Sequence, residues 1–105
     1  MRPAGSVSAY IAQASPQGRV ALRGIRRVVR SAAPGSVEQI SYGIPAVKYR
    51  GRIVAYFAAF KEHVGFFRPV RGALRKAAAR YAGPKGNLRF PLAAPMPLGL
   101  IRRIV

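Results

Sequence analysis

Cysteine, tryptophan and aspartate are all missing from this chain of 105 residues, and Glu38 and Glu62 are its two carboxylate side chains. Without cysteine there is neither a disulfide nor a thiolate metal site, which fits a reducing cytoplasm, the location we expect. Histidine occurs once, so a closed transition-metal site cannot be assembled from its usual ligands. Glu62 and His63 are adjacent and point to opposite sides of a regular strand. A weak iron contact through His63, Tyr42 or Tyr56 is the most that this donor set offers, and the positive charge of the chain opposes it. Scarcity of acids weighs against catalysis too. Glycoside hydrolysis needs two facing carboxylates, whereas Glu38 and Glu62 fall in separate strand regions. His63 and Ser41 come without a nucleophile-elbow motif and without an aspartate to orient the ring. We therefore expect no enzymatic activity. Long apolar runs are also lacking: the longest, Ile53 to Phe60, falls well short of the ~20 residues that span a bilayer, so no membrane helix is expected. The N-terminal MRPAGSVSAYIAQASPQG has no continuous apolar core of the kind a secretory signal needs.

Basic residues are what the chain has in excess. Fifteen Arg and four Lys face two Glu, for a formal charge of +17. Such a chain repels itself and attracts polyanions, so nucleic acid, another polyphosphate or an acidic protein is the expected class of partner. An Arg- and Ala-rich proteome would explain the choice of Arg over Lys, but it explains the missing acids less well.

The segment Ile40 to Phe67, ISYGIPAVKYRGRIVAYFAAFKEHVGFF, organises the rest. It holds most of the aromatic residues, with turn signals at Tyr42-Gly43-Ile44-Pro45, Arg50-Gly51 and Lys61-Glu62. Strands are predicted at Val37 to Tyr42, Ala46 to Arg50, Ile53 to Phe60 and His63 to Phe67, joined as a meander. Ile53 to Phe60 is apolar on both parities, which predicts a central strand with both faces largely covered. Ser6 caps a short helix carrying Val7, Tyr10, Ile11 and Ala14. A second helix runs from Pro16 to Ala33, stopped by Pro34-Gly35. Its Ala21, Leu22, Ile25, Val28, Val29 and Ala32 share one face, and Arg19, Arg23, Arg26 and Arg30 form a stripe turned away from it. A third helix is predicted at Val70 to Tyr81, with Arg71 and Arg75 along one edge. A short strand at Asn87 to Phe90 and a last helix at Leu98 to Val105 follow, separated by a segment that Pro91, Pro95 and Pro97 keep extended. The sum is one α+β domain over residues 1–105: an antiparallel sheet of four to five strands with helices packed on it.

Four ordered blocks, ISYGIPAVKY, YFAAFKEHVGFF, GPKGNLRFPL and PLGLIRRIV, together with SVSAYIA ahead of a long helix, resemble the YdhG-like domain family of small bacterial proteins. The likeness covers essentially the whole chain. It implies a frataxin-like arrangement, helices on one face of an antiparallel sheet, and a role as an intracellular iron chaperone, the activity described for some relatives. Hard cations prefer oxygen ligands. Where relatives often carry acids, this chain has Ser8, Ala9, Gln17, Gly18, Ala93 and Gly99.

Two sets of site residues follow. Tyr42, Lys61, His63 and Lys85 occupy polar positions of the shared blocks, and two ammonium groups and an imidazole beside loop amides would make an anion pocket. No P-loop spacing accompanies Gly83 to Gly86. Arg19, Arg23, Arg26, Arg30, Arg71 and Arg75 are the candidates for contact with a polyanion along its phosphates. Aromatics beside basic residues, Lys48-Tyr49-Arg50 and Phe66-Phe67-Arg68, suit either base stacking or the core, and a core role is the simpler expectation.

Overall fold

The computed structural model describes residues 5–67, 73–83 and 87–105, with the backbone alone at Ala73 and Arg75. Five strands, β1 (Val37–Ser41), β2 (Ile44–Tyr49), β3 (Arg52–Ala59), β4 (His63–Phe67) and β5 (Leu88–Pro91), form one sheet in chain order. Every neighbouring pair is antiparallel. Helices α1 (Val7–Gln13), α2 (Pro16–Ala32), α3 (Ala73–Ala78, continued by one 3-10 turn) and α4 (Leu98–Ile104) complete the fold. The α+β expectation, with its antiparallel sheet and packed helices, is met. The predicted start of the third helix, Val70 to Gly72, lies outside the described residues.

Turn chemistry sets the meander. Tyr42 and Gly43 have φ of 55° and 78°, and Arg50 and Gly51 have φ of 52° and 81°. Positive φ at both central residues is what a type I′ hairpin turn requires. Ser41 pairs directly with Ile44 and Tyr49 with Arg52, so each loop has two residues. Pro45, predicted as part of a corner, therefore lies inside β2 opposite Ile40. A bulge follows: Val47 pairs with Ala55 but Lys48 pairs with Ile53, leaving Val54 as the extra residue.

The helices cap and pack as their sequences dictate. Ser6 Oγ accepts from the Ala9 amide and Ser15 Oγ from the Gly18 amide, each at 3.1 Å, with Pro16 at the first position of α2. Leu22, Ile25 and Val29 of α2 join Val7 and Ile11 of α1 and Ile101 of α4 over Val47, Ala55, Phe57, Val64, Phe66, Leu88 and Phe90 of the sheet. The three phenylalanines in that cluster are fully buried, each contributing about 1.5–3 kcal/mol.

One ion pair network joins the layers. Glu38 shares the helix side of the sheet with its partner Val47. Arg26 Nε and Nη2 reach its two carboxylate oxygens at 2.7 Å each, and Arg30 Nη2 reaches Oε1 at 2.7 Å. Arg26 Nη2 also donates to Ser8 Oγ at 3.1 Å, so α1, α2 and β1 are tied through one guanidinium. Burial by itself would raise the Glu38 pKa, but hydrogen bonds and charge from Arg26 and Arg30 outweigh it and the pKa is lowered. A lowered carboxyl pKa contributes stability that is whole above the ordinary value of 4.5 and is lost as pH falls through the folded-state value. Glu38→Ala should cost about 1–3 kcal/mol, because two guanidiniums lose their partner at a site only partly open to water. Chemical denaturation at neutral pH and again in acid checks this: the gap between wild type and variant should close in acid. Gly24→Ala should act oppositely. A Cβ there would meet Leu98 at 3.4 Å, an ordinary contact, so the helix should gain about 0.5–1 kcal/mol, seen as a raised Tm.

Candidate functional site

Strand alternation gives the sheet a second face, on which no described helix packs. Pairing across the strands places Gln39, Ala46, Tyr56 and Phe67 in one row and Ala58, Gly65 and Arg89 in the next, with His63 beside Pro91 beyond them. Central β3 was expected to be largely covered on both faces, and Ala58 on the second face is buried. The helix side of β3 is covered, through Ala55 and Phe57, but on the other Tyr56 is half-buried and Phe60 is 48% exposed.

Small residues floor this face, and aromatic rings lie against one of them, Gly65. Ala46, Ala58 and Gly65 are buried although they point away from the helices. A Cβ on Gly65 would stand 3.0 Å from Phe60 Cε2 and 3.1 Å from Phe67 Cζ, so both rings rest on the glycine backbone. Tyr42 is 91% exposed on its I′ turn, and its ring centroid is 6.3 Å from that of Tyr56. A tyrosine at positive φ occupies a position that glycine or asparagine fills more cheaply. Phe60 stacks on His63 with centroids 4.8 Å apart and planes 16° from parallel. Ring contacts are therefore found both at the β1–β2 turn and at the β3–β4 loop, which lie at the same end of the sheet.

The polar end of this series is His63 and Arg89. Arg89 Nη2 lies 3.5 Å from His63 Nδ1, at the outer limit of a hydrogen bond, and the guanidinium donates. Burial lowers the His63 pKa, Arg89 lowers it further, and Glu62 opposes both. The ring is thus held neutral more firmly than a free imidazole. Lys61 is exposed in the same loop, whose backbone is closed by the Phe60 amide donating to the His63 carbonyl at 2.8 Å.

Of the predicted pocket residues, Tyr42 and His63 both lie along this ring series, at opposite ends, with Lys61 beside His63; Lys85 lies outside the described residues. The predicted arginine stripe divides. Arg23 and Arg30 are exposed, Arg26 is engaged by Glu38, and Arg19 turns back to donate to the Ala14 carbonyl at 3.1 Å. Arg71 and the side chain of Arg75 lie outside the described residues. Exposed arginines occupy both layers, Arg102 and Arg103 on α4 as well as Arg89 on the sheet. Ser41, in β1, is three strands away from His63, and Glu38 is on the helix side. Tyr56, Phe60 and Arg89 were not foreseen as one surface, although Tyr56-Phe57-Ala58-Ala59-Phe60 carries the signal: two rings at alternate spacing across an alanine. Phe66 is in the core as expected, whereas Phe67 lies on the open face. A shallow apolar groove between the start of α2 and the proline-rich segment, lined by Val20, Leu92, Pro95 and Met96 among others, has no charged lining residue.

The architecture is similar to that of a DUF1801 family protein, YdhG, from Bacillus subtilis, whose crystal structure aligns over 95% of this chain and 85% of that one with a TM-score of 0.78 and 18% sequence identity. The fold is thus YdhG-like. No family model matches the sequence, and no curated protein matches it. Among the described residues, no helix is long and apolar enough to cross a membrane.

The geometry of His63 sets a titration. Its lowered pKa favours the folded state fully above the ordinary imidazole value of 6.5, and that contribution is lost as pH falls through the lowered value. Arg89→Gln removes one of the two depressing influences, so the ring resonances of His63 should titrate at higher pH than in the wild type. An unchanged midpoint would assign the shift to burial alone.

Proposed function

We propose that this protein is a non-enzymatic binding domain whose ligand is anionic and docks on the open face of the sheet, at the end formed by Lys61, His63 and Arg89. The observation that carries this reading is the ring series on the open face, exposed at Tyr42 and Phe60 and ending in a guanidinium and an imidazole, on a chain of formal charge +17. The carboxylate of Glu38 is on the other side and already holds two cations, so the face keeps its positive sign. Glu62, in the loop beside Lys61, is its nearest acid. An iron-delivery role, which the resemblance to YdhG-like proteins implies, has weaker support. Iron as a hard cation would call for oxygen donors, and of the two carboxylates one is committed to Arg26 and Arg30. Among the described residues, no three His, Cys, Asp or Glu come together.

Inorganic polyphosphate is a suitable probe. Added to the isotopically labelled full chain, it should shift the backbone amide resonances of Lys61 to His63 and of Arg89. The apparent affinity should fall with salt, about one log unit per log unit of salt for each phosphate neutralised. Arg89→Glu should weaken binding several-fold. No saturable shift at low salt, or shifts confined to α2 and α4, would defeat the proposal.

A further inference from the structure

Building on that anion-binding reading, we infer that the open sheet face is a single-stranded nucleic-acid platform, with bases stacking on Tyr42, Tyr56, Phe60 and Phe67 while Arg89 meets the backbone. Three observations lead there. The first is placement. The edges of Phe60 and Phe67 both come against Gly65, so the two rings meet over one strand position, and Phe60, stacked on His63 on one side, remains 48% exposed. Rings on a sheet face are what unpaired bases stack on, and every base has a flat surface to offer.

The second is spacing. Tyr56 and Phe67 sit directly opposite each other on β3 and β4, strands that lie about 4.8 Å apart, and Tyr42 continues the series at 6.3 Å from Tyr56. Aromatic residues thus recur at neighbouring positions across the strands, which suits several consecutive bases better than one isolated planar ligand. The third is charge. Arg89 is exposed beside the far end of the series, where a phosphate leaving the last stacked base would arrive. An acidic protein partner would also bury these rings and suit a chain of +17, but it predicts no preference for base-bearing over abasic strands. Duplex nucleic acid keeps its base faces inside the stack and would leave the rings unused.

Fluorescence anisotropy of the full chain with a labelled oligodeoxythymidine tests this, against an abasic strand of the same length and a duplex. All three carry phosphates, but one alone presents free bases. The base-bearing single strand should bind about tenfold or more tighter than the other two, a ring-stacking contribution of ~1–3 kcal/mol per base. Tyr42→Ala should weaken it between about fivefold and a hundredfold while leaving abasic binding unchanged. Tyr42 is 91% exposed, so this variant tests the surface without emptying the core. Phe60→Ala, accepted only if its Tm matches the wild type, should do the same. Equal affinity for base-bearing and abasic strands, or tighter binding of the duplex, would overturn the stacking inference and leave the anion site standing. No binding to any of the three at low salt would remove both.

Discussion

All the described helices press on one side of the five-stranded meander, and no described element shields the other side. That asymmetry governs the molecule. On the helix side, Phe57, Phe66 and Phe90 meet Leu22, Ile25 and Ile101 with no polar side chain fully buried among them. On the other, among the described residues, the sheet's own side chains cover its backbone. They do so with rings leaning against a small residue, as Phe60 and Phe67 do at Gly65. A side chain larger than hydrogen at that glycine would lift both rings, so packing and the character of the exposed surface are set by the same position.

Charge imposes a second condition. A chain this cationic has few acids with which to neutralise itself, and one of its two is placed where an uncompensated carboxylate would be costly. Glu38 is partly enclosed between sheet and helix, with 13% of its side chain exposed. Three charge-assisted hydrogen bonds from Arg26 and Arg30 compensate it. The pairing ties α2 to β1, and it draws Arg26 out of the stripe of cations that helical periodicity suggested while Arg30 stays exposed.

Much of this was readable from residue order, for identifiable reasons. Gly43 and Gly51 mark two hairpins, Ser15-Pro16 starts α2 and the apolar stripe of Leu22, Ile25 and Val29 gives its buried side. These are local rules acting over a few residues, and the folded chain follows them. The YdhG-like likeness held at the level of fold. What stayed hidden depends on contacts far apart in sequence. Glu38 shares parity with Ile40, so a carboxylate was headed for the core side and required a cation, but helical periodicity alone placed Arg26 in solvent. Likewise, an apolar strand at the centre of a sheet suggested two largely covered faces, and periodicity cannot distinguish a ring covered by a helix from one that leans against a small neighbour on the same face. Lys85 and Arg71 belong to segments outside the described residues.

Tyr42 carries one more implication. Its φ of 55° is the left-handed conformation demanded by the two-residue turn, and pairing of Ser41 with Ile44 holds that turn on both sides. The direction in which its Cβ leaves the main chain is consequently dictated by the hairpin, and only two side-chain torsions remain adjustable. Although nearly all of its surface meets water, this ring has fewer torsions to order than an exposed lysine or arginine, so a ligand settling on it removes less disorder.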